Sequence, residues 1–137
     1  MAMNLNTTAA VTHSNLLVAW VWIVLGFASG FAMGLNFQRD DWLGGYGSYK
    51  RRLYRLAHIS FFGLGFINLI FYLTARGTLP ATGLLKVASW GFIIGAISMP
   101  ICCFIMAHRS SWRALFLIPV SSLMAGGVLT IWEIAKL

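Results

Sequence analysis

Acidic residues are nearly missing from this sequence. It has three Asp and Glu among 137 residues, against ten Lys and Arg. Charges of both signs make up 9% of the chain, whereas a soluble globular domain carries about 25%. A water-facing surface cannot be assembled from so few. The same shortage removes a function class. The carboxylates are Asp40, Asp41 and Glu133, and none sits in the middle of an apolar run. Proton-driven transport through a membrane ordinarily uses an ionisable group at that depth.

Cysteine is also scarce. Cys102 and Cys103 are adjacent within an apolar stretch. Neighbours on a helix point in different directions, so no disulfide between them is expected, and both read as small hydrophobes. No metal-ligand spacing, nucleotide loop or complete catalytic set is present, so no metal site is expected and a non-catalytic role is the first expectation. The stretch from Met1 to Asn15 contains no Lys or Arg. It lacks the basic start and small-residue cleavage site of a secretory signal. It reads as a polar N-terminal tail, residues 1–15, before an uncleaved first helix.

What the chain does have is hydrophobic residues, at 59% of its length. They fall into four apolar runs, at about 16–37, 56–74, 87–107 and 114–132. Each is close to the roughly 20 residues that cross about 30 Å of hydrocarbon. The runs are apolar on every face, and four strands could not close a barrel, so strands are excluded. The expected fold is all-α: one integral membrane bundle of four transmembrane helices over residues 16–137, running up and down.

Basic residues set the expected orientation. Arg39, Lys50, Arg51, Arg52 and Arg55 surround the first loop, and Arg109 and Arg113 lie in the third connection. Only Arg76, Lys86 and Lys136 fall on the other side. Lys and Arg favour the cytoplasm, which places both termini on the non-cytoplasmic side. A bacterial inner membrane is the expected location. A net charge of +7 then marks topology and lipid headgroups, and no nucleic-acid partner is expected. Lys50, Arg51, Arg52 and Arg55, at the mouth of the second helix, form a candidate docking patch for lipid or for an acidic partner.

Glycines provide a packing signal. Gly26, Gly30 and Gly34 recur every four residues in the first helix, and Gly91 and Gly95 do so in the third. In lipid, close approach of backbones supplies much of the attraction between helices, and small residues permit it. These five are candidate helix-packing positions, within the chain or against another subunit. Asn68, in the middle of the second run, is expected to hydrogen-bond a neighbouring helix.

Histidine is the remaining chemical signal. His13 precedes the first run, and His58 and His108 lie toward the basic side. An ionisable side chain inside a span is costly without a partner, so His58 is a site candidate. His58 and His108 together are candidate axial ligands for a b-type haem, which needs two imidazoles on facing helices at similar depth. Helical rise puts His58 about 6–9 Å deeper than His108, a poor match for that geometry.

Three functional expectations follow. The first is a non-catalytic accessory subunit of a larger membrane complex, such as a bacterial respiratory or electron-transfer assembly, with no cofactor of its own. The second is a small haem-b protein that exchanges electrons with quinone. The third is a membrane oligomer that binds lipid or a small molecule. Expected partners are membrane lipids and either other membrane subunits or further copies of the chain.

Overall fold

In the computed structural model, residues 2–137 are described, with side chains from Thr12 onward. Four helices account for most of the chain: α1 (Ala2–Gly34), α2 (Tyr49–Thr78), α3 (Gly83–His108) and α4 (Leu117–Ile134). Short 3-10 segments at Trp42–Gly44 and Ser110–Phe116 lie between them. There is no strand among the described residues. All four apolar runs are helices long and apolar enough to cross a membrane. The chain is an integral, multi-pass membrane protein.

The helices extend beyond the apolar runs, for identifiable reasons. The α2 helix starts at Tyr49 rather than near residue 56, because Ser48 caps it and accepts from the Arg51 N–H at 3.1 Å. Such a cap satisfies a donor that has no partner inside the helix. Thr82 does the same for α3, accepting from the Leu85 N–H at 3.1 Å. The basic run Lys50–Arg55 is therefore helical. At 30 residues, α2 is about 45 Å long by helical rise, so its first turns project past the hydrocarbon.

The α1 helix begins at Ala2, inside the stretch expected as a polar tail at residues 1–15. Within that stretch Thr12 and Asn15 are fully buried, while His13 and Ser14 are exposed. Asn15 on α1 donates to Asn68 Oδ1 on α2 at 2.8 Å and to the Ser89 carbonyl on α3 at 3.2 Å. Ser89 Oγ donates back to Asn15 Oδ1. Asn68 Nδ2 donates to the Leu64 carbonyl at 2.9 Å. Polar side chains at this depth must find partners in one another, and here they tie α1, α2 and α3 together.

Contacts along each neighbouring pair run in opposite chain order. On α1 and α2, Asn15 meets Asn68, Gly26 meets Phe62, and Ser29 meets His58. On α3 and α4, Gly91 meets Gly126 and Gly95 meets Leu123. The four helices do not close evenly around one core. In the most apolar window of each, 39% of α2 and 44% of α3 is buried, but only 11% of α1 and of the fourth segment. The central pair α2 and α3 is flanked by α1 and α4. A small core of Phe71, Ala75, Leu79, Leu85, Ala88 and Phe92 joins the central pair, with Leu123 and Leu129 of α4 against it.

Pro100 lies inside α3 and is buried. Proline has no N–H, so the carbonyl of Ala96, four residues earlier, loses its helical donor. The indole N–H of Trp22 on α1 donates to that carbonyl at 3.0 Å. A helix defect is thereby converted into a contact between helices.

Candidate functional site

A cavity of about 250 Å³ opens between α1, α2, α3 and the first loop. Ser29, Ala32 and Met33 line it from α1, Asn36 from the turn after it, Tyr54 and His58 from α2, Phe104 from α3, and Trp42 from the loop. The helical residues follow helical spacing. Ser29 and Met33 are an i, i+4 pair on α1, and Tyr54 and His58 are an i, i+4 pair on α2.

The loop is shaped to deliver Trp42. Leu43 has φ of +56°, and Gly44 and Gly45 have φ of +86° and +93°. The left-handed region is costly for leucine and free for glycine. Ser48 Oγ donates to the Leu43 carbonyl at 2.7 Å, which ties the strained residue to the cap of α2. Arg51 is 3% exposed. Its guanidinium lies 5.4 Å from the Trp42 ring centroid and 4.6 Å from that of Tyr46. Arg55 approaches Tyr46 from 5.2 Å and donates to its carbonyl at 3.3 Å. The expected docking patch is thus divided. Arg51 and Arg55 hold the loop against α2 through cation–π contacts, while Arg52 is exposed and Lys50 half-buried.

Aromatic side chains form the cavity wall. Tyr54 meets Trp42 edge-on at 6.5 Å between centroids and Phe104 at 5.2 Å. Its hydroxyl is 3.1 Å from His108 Nε2, which links the start of α2 to the end of α3. His58 Nδ1 lies 2.9 Å from Ser29 Oγ, and the ring meets Phe62 edge-on at 5.6 Å.

The two histidines expected as a haem pair therefore have different settings. His58 lines the cavity and bonds to α1. His108 is exposed, bonds to Tyr54 and does not line this cavity. The structure does not bring them together around one opening.

The glycines also divide. A Cβ on Gly30 would lie 2.9 Å from His58 Cε1, and one on Gly26 would lie 2.8 Å from the Phe62 ring. On α1 these glycines are sockets for rings rather than places where backbones touch. Gly34 has nothing within 4 Å of a Cβ, so it makes no close contact within this chain and lies past the contact with α2. Gly91 is a true close approach: a Cβ there would lie 2.9 Å from the Ser122 carbonyl oxygen and 3.2 Å from the Gly126 backbone. Gly95 receives the Leu123 side chain.

Ser29, Met33, Asn36, Trp42 and Tyr54 were not legible as site residues. The available signal was the polar pair Ser29 and Asn36 near the end of an otherwise apolar run. Comparison with family models, curated proteins and solved structures finds no match for this chain.

Proposed function

We propose that this chain is a membrane-embedded binding protein for a small, ring-bearing apolar molecule held in the cavity beside His58. The observation that carries this reading is the aromatic cavity of about 250 Å³ at the basic end of the helices. Its volume is near the lower bound of about 300 Å³ for small-molecule sites, which suits a single ring better than a macrocycle. Its wall is carbon-rich, with a few polar groups at its edge, the usual composition of such sites. A strained Leu43 and a buried Arg51 fix one wall of it, and strain of this kind gathers at ligand-holding positions.

This reading is favoured over an accessory subunit because Gly26, Gly30, Gly91 and Gly95 are used inside the chain. They are not left over for a partner helix. It is favoured over a haem protein because His58 and His108 engage different partners. The excess of basic residues around this end supports a cytoplasmic position for the cavity mouth, with both termini on the opposite side. In a bacterial inner membrane the ligand would enter from the inner leaflet.

Ala32→Phe tests the reading by filling the cavity. Protein purified in mild detergent is extracted with solvent, and apolar molecules are quantified by mass spectrometry. A molecule present in the wild type and in Gly34→Phe, but depleted in Ala32→Phe, is the expected result. Gly34 lies on the same helix outside the cavity, so it controls for added bulk. Identical extracts from all three proteins would overturn the proposal.

A further inference from the structure

The hydrogen bonds around His58 specify which group of a ligand it can meet. Ser29 has one hydroxyl proton, and that proton is donated to the Gly26 carbonyl at 3.0 Å. The Ser29 oxygen is then available to His58 only as an acceptor. At 2.9 Å, the bond between them requires the proton on His58 Nδ1. In a neutral imidazole with Nδ1 protonated, Nε2 carries a lone pair and accepts. The network thus assigns the tautomer.

Nε2 makes no hydrogen bond among the described residues. No buried side-chain nitrogen or oxygen among them lacks a partner, so Nε2 is reachable from outside the protein. The ring to which it belongs lines the cavity. Trp42, from the first loop, also lines it. The cavity is therefore bordered by a ring with one unspent acceptor, among aromatic side chains.

We infer that the cavity's ligand is an aromatic alcohol, a phenol or a quinol. Its hydroxyl donates to His58 Nε2, and its ring lies among Trp42, Tyr54 and Phe104. This inference rests on the cavity reading above and narrows it to one chemical class. A hydroxyl satisfies the lone pair on Nε2. A fully oxidised quinone or an ether presents only acceptors there and leaves two lone pairs facing each other. A site with a fixed polar group discriminates mainly through the cost of leaving that group unpaired. An aromatic ring suits the walls because edge-on and offset contacts between rings add to plain burial. Ser29 is a positioning residue: it touches His58, and it sets which nitrogen carries the proton.

The test uses the protein in mild detergent, in mildly alkaline buffer. Two probes are titrated calorimetrically against empty-micelle blanks: tetramethylhydroquinone and its dimethyl ether. They share a ring and differ in having hydroxyl donors. The quinol is expected to bind about five- to tenfold more tightly, the range of one net hydrogen bond. His58→Phe should abolish that preference while still binding both probes. Ser29→Ala should narrow it, because Nδ1 loses its enforced proton. The serine variant carries the test where His58→Phe fails to fold. Equal affinity for the two probes in the wild type would overturn the aromatic-alcohol assignment and leave the cavity reading standing. Failure of both probes to bind would also overturn the assignment. The Ala32→Phe extraction then decides separately whether the cavity holds any ligand.

Discussion

Trp22 on α1 donates its indole N–H to the Ala96 carbonyl on α3 at 3.0 Å, the carbonyl that Pro100 deprives of its helical donor. The two changes should therefore be coupled. Trp22→Phe is expected to cost about 1–3 kcal/mol, because it leaves a carbonyl unpaired away from water. In a Pro100→Ala background the helix supplies its own donor, and the same change should cost clearly less. Unfolding in detergent for the wild type, the two single variants and the double variant measures the coupling. Equal costs in both backgrounds would refute the account.

Gly91 and Gly34 provide a contrast within one class of residue. A Cβ on Gly91 would lie 2.9 Å from the Ser122 carbonyl and 3.2 Å from the Gly126 backbone, whereas one on Gly34 meets nothing within 4 Å. Backbone cannot rotate aside as a side chain can. Gly91→Ala is expected to cost about 1–3 kcal/mol as overpacking. Gly34→Ala should change stability by less than about 0.5 kcal/mol, the usual range of surface substitutions. Thermal denaturation of the two variants in one detergent separates them.

Arg51 and Arg52 are neighbours in sequence and opposites in setting. Arg51 is buried against Trp42 and Tyr46, while Arg52 is exposed. Arg51→Ala should cost about 2 kcal/mol, the range of a desolvated cation–π contact. It should also expose the first loop to protease. Arg51→Lys should recover only part of this, since the planar guanidinium stacks as an ammonium cannot. Arg52→Ala should leave both stability and loop cleavage unchanged. Loop cleavage in Arg52→Ala equal to that in Arg51→Ala would count against the assigned roles.

The distribution of basic residues predicts that the first loop faces the cytoplasm. Gly47 and Gly77 both have open space around a Cβ, so Gly47→Cys and Gly77→Cys should fold normally. The native Cys102 and Cys103 are buried and should react slowly. An impermeant thiol reagent added outside intact cells should label Gly77→Cys and spare Gly47→Cys. The reverse pattern would invert the topology.

Four spans and their helical character could be read directly from the sequence. Lipid offers no hydrogen bonds, so each crossing must be a long apolar run that satisfies its own backbone. The ion pair of Glu133 with Lys136, at 3.0 Å, is likewise local, three residues apart in the chain. Local spacing on one helix suffices to bring them together. The bond between Asn68 and a neighbouring helix was expected too, because a polar side chain at that depth must find a partner.

Tertiary structure alone decided which partner that was, and it was Asn15, in a segment that looked like a solvated tail. It also decided that Gly30 admits a histidine ring, that Gly34 touches nothing, and that Arg51 is buried while Arg52 is not. The cavity belongs to the same category. Its walls come from three helices and a loop, and it exists only at one mutual rotation and depth of those elements. Hydropathy is insensitive to rotation about a helix axis when every face is apolar, so the sequence of a lipid-embedded helix conceals which face meets its neighbour.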